Sequence, residues 1–116
     1  GRRLFAGGYD QTIRVWSLES GKVVSTLRGH TGAVLSLALS ADGTRLFSGS
    51  FDHTVKIWDL DAGRELLTLM GHSGLVSTLA LAEDGTRLFS GSGDGTIREW
   101  DFRRHAPTKT EPPKGE

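Results

Sequence analysis

The chain has 116 residues, with 14 basic and 14 acidic side chains and no cysteine. Because the charges balance, no net field draws it towards nucleic acid or an anionic membrane, and without thiols it has neither disulfides nor thiolate chemistry. No apolar stretch approaches the roughly 20 residues of a membrane-spanning helix. We therefore expect neither a nucleic-acid partner nor a membrane partner.

The first elements in chain order are short strands joined by turns. Leu4–Leu18 contains two such segments, one on either side of Gly8-Tyr9-Asp10. Ala33–Leu39 is apolar with little alternation, which is typical of a strand buried on both faces. Asp42-Gly43 accepts the positive φ of a hairpin turn, so residues 44–50 return as the next strand.

Two further strands complete the pattern. Thr54–Trp58 alternates in polarity and is rich in β-branched and aromatic residues, which predicts a strand further from the centre. Ala62-Gly63 makes a turn, and Arg64–Met70 forms a fourth, outermost strand. Applied to the whole chain, the pattern gives ten strands and no helix, so we expect an all-β fold.

The pattern repeats at a spacing of 42 residues. Residues 29–60 and 71–102 are identical at 20 of 32 positions, and residues 4–18 align with residues 46–60. Each full copy opens with Gly-His and closes with Trp-Asp. Across residues 2–102 the arrangement resembles the WD-repeat β-propeller family. The resemblance implies a partial WD-repeat β-propeller whose blades have four antiparallel strands, lettered a to d from the axis outwards.

The repeats divide the chain into four parts. Residues 1–18 form a half blade with strands b and c, residues 19–60 and 61–102 each form a WD-repeat blade, and residues 103–116 form a disordered C-terminal tail. A propeller closes with about four to eight blades. We therefore expect a C-terminal portion of a larger propeller, whose remaining blades would be its first partners.

A recurring polar set invites a catalytic interpretation. Its members are a histidine, a serine, an aspartate and a tryptophan, namely His30, Ser48, Asp52 and Trp58, repeated as His72, Ser90, Asp94 and Trp100. A catalytic triad would occur once, beside an oxyanion hole. The resemblance instead implies a structural relay of hydrogen bonds from the indole through the hydroxyl and the imidazole to the carboxylate. Ser50 and Ser92 are alternative candidates for the hydroxyl, and Ala6 replaces it in the half blade.

Other motifs carry little chemistry. Gly91–Thr96 is rich in glycine but links two strands, so no helix N-terminus is present to hold a phosphate. The four histidines lack the spacing of metal ligands, and the Asp-Gly pairs lack the alternating ligands of a calcium loop. We expect no metal, no cofactor and no enzymatic activity.

The resemblance places the binding surface on the top face, built by the d-a loops and the b-c turns. The matching positions are the residue before each turn aspartate and the start of strand a, namely Tyr9, Phe51, Gly93, Ala33, Leu35, Leu75 and Ser77. Exposed aromatic residues are typical of interface hot spots. We therefore expect an apolar or amphipathic protein or peptide ligand here.

The predicted function is that of a non-catalytic scaffold for protein-protein interaction, located inside the cell, with cytoplasm and nucleus both open. One alternative is a substrate-receptor or scaffold subunit of a larger enzymatic assembly, such as a ubiquitin ligase. Another is a subunit of an RNA-associated particle. Glu99 is unexpected, because Val15 and Ile57 occupy its position in the other repeats. Its predicted partner is an arginine from the first blade of the complete propeller.

Overall fold

The structure, a computed structural model, describes residues 2–102 and 114–115. These residues form strands joined by short loops, with no helix among them. The strands are β1 (Arg3–Gly7), β2 (Ile13–Ser17), β3 (Val23–Leu27), β4 (Val34–Leu39), β5 (Arg45–Ser50), β6 (Val55–Asp59), β7 (Arg64–Leu69), β8 (Val76–Leu81), β9 (Arg87–Ser92), β10 (Ile97–Asp101) and β11 (Lys114–Gly115).

The strands form three antiparallel sheets. Their orders are β1-β2-β3, β4-β5-β6-β7 and β8-β9-β10-β11, so that neighbours in sequence are neighbours in each sheet. Strand β4 contacts β8 of the third sheet and β1 of the first sheet, which places the edges of the sheets towards a common side. The predicted all-β fold, a partial propeller with antiparallel blades, is confirmed.

The sheets are offset by one strand from the sequence repeats. Strand β3 belongs to the repeat of residues 19–60 but pairs with β2, and β7 of the following repeat pairs with β6. A turn of a few residues returns the chain from strand c to strand d as a hairpin, whereas the d-a loop crosses to the next sheet. The first sheet therefore lacks one strand, and not two as the half blade at residues 1–18 implied.

The third sheet has an outer strand that the sequence did not predict. Lys114 pairs with Asp101 and Gly115 with Trp100. These two residues differ from the expected disordered tail, because the outer edge of β10 offers backbone groups that a further strand can satisfy. The other residues of the predicted tail, 103–113 and 116, lie outside the described residues.

Two apolar clusters, each in a seam between neighbouring sheets, hold the fold together. Each buried side chain of this kind contributes about 1.5–3 kcal/mol. The seam between the first and second sheets buries Ile13, Val15, Leu27, Val34, Leu46 and Trp58. The seam between the second and third sheets buries Phe47, Val55, Ile57, Leu67, Leu69, Val76, Leu88 and Trp100.

Close approach of the sheets depends on a glycine in strand b. A Cβ atom at Gly49 would lie 2.7 Å from Cγ1 of Val76 in the next sheet, which no real structure tolerates without movement.

Strand β4 is less buried than predicted. Leu35 and Leu39, at the two ends of the strand, are exposed.

Candidate functional site

The relay of the second sheet joins four side chains in the predicted order. Nε1 of Trp58 donates to Oγ of Ser48 at 2.8 Å, and that hydroxyl lies 2.7 Å from Nε2 of His30. Nδ1 of His30 lies 2.8 Å from Oδ2 of Asp52. The carboxylate also accepts hydrogen bonds from the backbone and side chain of Thr54 at 2.9 and 2.6 Å. The relay thereby fixes the b-c turn to the interior of the sheet.

The third sheet repeats the relay. Trp100 donates to Ser90 at 2.9 Å, Ser90 lies 2.7 Å from Nε2 of His72, and Nδ1 of His72 lies 3.1 Å from Asp94. Two of the three distances agree with the second sheet to within 0.1 Å. The largest difference is at Asp94, where Gly95 follows the aspartate in place of His53.

The protonation states follow from burial and hydrogen bonding. Burial is the largest influence on His30 and lowers its pKa, although the hydrogen bond with Asp52 raises it in part. A neutral imidazole with its proton on Nδ1 donates to Asp52 and accepts the Ser48 proton on Nε2. Burial of Asp52 opposes its ionisation, but hydrogen bonds from Thr54, His30 and Thr31 outweigh this and hold its pKa at about 2.

The relay does not have the geometry of a hydrolase. Ser48 and Ser90 are both fully buried, so neither hydroxyl can reach a substrate. Each hydroxyl already accepts a hydrogen bond from a tryptophan indole and is hydrogen-bonded to a histidine. Ser50, the alternative candidate, donates to the carbonyl of Gly32 at 3.0 Å and accepts from the amide of Asp52 at 3.1 Å. The four side chains therefore serve to hold the turn in place.

The first sheet has a different arrangement at the same place. Asp10 accepts from the hydroxyl of Thr12 at 2.8 Å and pairs with Arg14 at 2.9 Å. The hydrogen bonds from Thr12 and the charge of Arg14 lower the pKa of Asp10. Ala6 has no hydroxyl to extend a relay, and it is exposed on the incomplete sheet. This turn is thus held by its own hydrogen bonds and by one from the second sheet, in which the amide of Val34 donates to the carbonyl of Gly8 at 3.1 Å.

The structure arranges most of the predicted top-face residues in pairs. Tyr9 and Leu35 line one shallow groove between the first and second sheets. The amide of Phe51 donates to the carbonyl of Ala33 at 2.9 Å. The third pair is Gly93 with Leu75, in which the amide of Gly93 donates to the carbonyl of Leu75 at 2.8 Å. Ser77 belongs to no pair and is exposed.

Two of these residues occupy β-bulges that the sequence did not predict. The pairing of β4 with β5 skips Leu35, and the pairing of β8 with β9 skips Ser77. A bulge adds one unpaired residue and re-aims its side chain. Leu35 and Ser77 are therefore presented at the start of strand a, independently of the ladder.

The groove beside Tyr9 is the most developed feature of the top face. It has a volume of about 210 Å³ and is lined by Gly7, Gly8, Tyr9, Val34 and Leu35. Tyr9 is 91% exposed and Phe51 is 57% exposed. At the b-c turn of the third sheet, which has Gly93 in place of an aromatic residue, the side chain of Leu75 lies over the glycine. A Cβ atom added to Gly93 would be 3.2 Å from Cγ of Leu75. The aromatic part of the face is thus confined to the first two turns.

Sequence reasoning missed a polar cluster next to the relay. Nζ of Lys56 lies 2.9 Å from Oε2 of Glu65 and donates to Oγ1 of Thr68 at 2.8 Å, while Thr68 donates to Glu65. The alternation of β6 gave no sign that a lysine would be buried there. Sequence reasoning also missed that Arg87 of the same sheet lies 3.5 Å from the Glu99 carboxylate. An arginine of the first blade as a partner of Glu99 stays a prediction.

Neither a metal site nor a membrane span can be assigned to the described residues. Residues 2–102 and 114–115 contain no cluster of three or more His, Asp or Glu side chains that could hold a metal ion. Within the same ranges no helix has the length and apolar character needed to cross a bilayer.

The repeats, the sheets and the relay define a propeller-blade protein of the WD type. The family described as WD40, "WD domain, G-beta repeat", matches residues 1–17, 21–59 and 63–101, which is most of the chain. The chain therefore belongs to the WD40 repeat family. Domains of this family generally bind protein partners as scaffolds and are generally not enzymes.

Individual relatives match over about one repeat. The chain is 51% identical to human "WD repeat-containing protein 86" over 43 residues, which is 37% of this chain and 11% of that protein. "Ribosome assembly protein 4" of Chaetomium thermophilum is 49% identical over 41 residues, 35% of this chain and 8% of that protein. A "Bromodomain and WD repeat-containing" protein of Dictyostelium discoideum is 41% identical over 44 residues, which is 38% of this chain and 2% of that protein. The matches thus span between 2 and 11% of these relatives.

Proposed function

We propose that the chain contributes part of the top face of a WD40 propeller and binds a protein or peptide segment there. The observation that carries this proposal is the exposure of Tyr9 and Phe51 on turns that hydrogen bonds hold in place. Asp52 anchors the second turn through the relay, and the carbonyl of Gly8 accepts from the amide of Val34 at 3.1 Å beside the first turn. A rigid aromatic residue gives large contact area at low entropic cost.

The chemistry of the face favours an apolar or amphipathic ligand. Tyr9, Leu35 and Phe51 present carbon surface, and a groove of about 210 Å³ next to Tyr9 has room for a single side chain. None of the seven predicted contact positions is basic. Arg14, the cation at the first turn, is already paired with Asp10 at 2.9 Å. These features support an apolar side chain as the anchor rather than a phosphate.

The assembly in which the scaffold works is a separate part of the proposal. A receptor subunit of a ubiquitin ligase and a subunit of an RNA-associated particle both remain alternatives. The name of ribosome assembly protein 4, a relative over one repeat, fits the second alternative, whereas the balanced charge of this chain does not favour it. Binding to RNA that weakens steeply with salt would favour the particle. An intracellular location belongs to the proposal on the strength of family resemblance, and fractionation of cells would test it.

The test first selects peptides that bind the chain and then measures how substitutions in the top face change their affinity. A pool of random 12-residue peptides is selected for binding, and affinities are measured for Tyr9→Ala, Phe51→Ala and the control Leu39→Ala. Leu39 is also exposed but lies at the other end of β4. We expect the two aromatic variants to weaken binding at least about tenfold, within the range of interface hot spots, and the control to have no effect. Peptides that bind both aromatic variants as tightly as the unaltered chain would contradict the proposal.

A further inference from the structure

The two seams between sheets differ in how their outer ends are filled. In the seam between the second and third sheets, the ring of Phe102 stacks on Phe47 with centroids 6.2 Å apart and planes 19° apart. Leu67 is buried beside them, and Leu66 packs against the same cluster. An aromatic ring therefore closes this seam.

Smaller side chains occupy the equivalent positions in the first seam. Leu60 follows Trp58-Asp59 as Phe102 follows Trp100-Asp101. The two backbones also match, because the amide of Leu60 donates to Thr44 at 3.0 Å and the amide of Phe102 donates to Thr86 at 2.7 Å. A leucine thus stands where the neighbouring seam has a phenylalanine.

Strand d shows the same reduction in size. Ser25 pairs with Val15 in the first sheet as Leu67 pairs with Ile57 in the second. Val24 and Leu66 are the bulge residues that precede them. A serine and a valine therefore replace two leucines, and Val24 is 58% exposed.

The missing volume is present as an open cavity of about 360 Å³, which we call the seam pocket. Val15 and Leu27, both buried, form its floor, and Val24 and Leu60 form apolar walls. Arg3 and Asp61 also line it. The guanidinium of Arg3 donates to the carbonyl of Gly43 at 3.3 Å and lies 5.6 Å from the centroid of the Phe5 ring, which leaves further donors on the guanidinium. The pocket therefore combines an apolar interior with one charge of each sign.

We propose that the seam pocket binds an aromatic side chain of a partner polypeptide. The ring of Phe102 shows that this position in a seam accepts an aromatic group, and the first seam leaves the position unfilled. Arg3 can donate to a backbone carbonyl of the partner, and Asp61 can accept from a backbone amide. A pair of opposite charges suits a neutral peptide better than an anion.

The C-terminal segment of the chain is not the source of the ring. Residues 103–116 contain no phenylalanine, tyrosine or tryptophan. The exposed aromatic side chains Tyr9 and Phe51 belong to the top face and would reach the pocket only from a second copy. We assign the ring to a separate polypeptide, and self-association is a competing outcome of the test.

The experiment uses the chain of 116 residues with N-acetyl-phenylalaninamide as the probe and N-acetyl-alaninamide as the control. Binding is followed by the methyl NMR signals of Val24, Leu27 and Leu60. We expect shifts at these methyls with the aromatic probe only. Leu60→Phe fills the pocket and should weaken binding at least about tenfold, while the control Ile97→Ala, at an exposed apolar residue of the third sheet, should bind as before. Ser25→Leu provides a second filled pocket in case Leu60→Phe alters the fold, which near-ultraviolet circular dichroism would reveal.

Three results would overturn the proposal. The probe could leave the Val24 and Leu27 signals unchanged, or bind Leu60→Phe and Ser25→Leu as well as the unaltered chain. Concentration-dependent shifts of the same methyls without probe, abolished by Phe51→Ala or Tyr9→Ala, would identify a second copy as the occupant. Loss of top-face binding in Phe51→Ala leaves the pocket unaffected, so the two proposals fail independently.

Discussion

Nε1 of Trp58 and Oγ of Ser48 lie 2.8 Å apart, and both atoms are in fully buried side chains. The hydroxyl accepts a hydrogen bond from the indole N–H and donates one to Nε2 of His30. A single serine thus satisfies two buried polar groups that have no access to water. Because such groups are costly when left unpaired, this bond fixes both the tryptophan and the histidine.

Ser48→Ala should therefore lower the free energy of unfolding by about 1–3 kcal/mol, because the indole and the imidazole both lose a partner. The measurement is urea denaturation of the variant and the unaltered chain, compared at equal m values. Ala6→Ser is the matched control, since Ala6 occupies the equivalent position on the exposed first sheet, and it should change stability by less than about 0.5 kcal/mol. Equal effects of the two substitutions would contradict the structural role of the relay.

The stability of the chain should fall as the pH falls below about 6.5. Burial keeps the folded pKa of His30 below its ordinary value of 6.5, so the unfolded chain binds the proton first as the solution is acidified. Asp52 adds a second loss between its ordinary pKa of 3.8 and its folded value of about 2, because its stabilising hydrogen bonds require the ionised form. Unfolding curves across this pH range check both windows. His30→Gln should flatten the first window, and an unchanged slope would refute its assignment to His30.

A glycine after the turn aspartate should stabilise the first two turns. Gln11 and His53 have φ values of 74° and 77°, and Gly95 has 86° at the same position of the third turn. A side chain is strained in this region, whereas glycine is not. Gln11→Gly and His53→Gly should each raise the free energy of unfolding by about 0.5–1 kcal/mol, as judged by thermal denaturation. Gly95→Ala is the converse control and should destabilise; a rise in its melting temperature would refute the explanation.

Two ion pairs of equal length should differ in energy. Lys56 and Glu65 are 2.9 Å apart with side chains 10% and 25% exposed, while Arg14 and Asp10 are 2.9 Å apart with side chains 50% and 45% exposed. Glu65→Gln should cost about 1–3 kcal/mol, because the lysine stays buried without its counter-charge. Arg14→Gln should cost less than about 1 kcal/mol. Urea denaturation in low salt and in about 1 M salt separates them, since salt screens the exposed pair far more strongly. Equal costs with equal salt dependence would contradict this account.

Local patterns in the sequence predicted the strands and most turns well. The pairs Asp42-Gly43 and Ala62-Gly63 do place a glycine with positive φ at the hairpins. The sequence could not decide between Ser48 and Ser50, because both lie on one face of β5 and both are fully buried, so the choice depends on which hydroxyl lies within reach of Trp58 and His30. The structure decides it through the distances to Trp58 and His30.

The repeat itself determined the class of fold. A spacing of 42 residues, with Gly-His and Trp-Asp at fixed places, encodes one supersecondary unit that must stack on its neighbours to bury its faces. Tertiary structure alone decided that β3 belongs to the first sheet and that Lys56 pairs with Glu65. It also decided that a pocket lies beside Leu60 in the first seam, whereas the ring of Phe102 occupies the corresponding space in the second seam. Each of these outcomes depends on contacts between residues far apart in the chain. Local periodicity specifies the direction of a side chain, whereas the space around that side chain is set by the sheet packed against it.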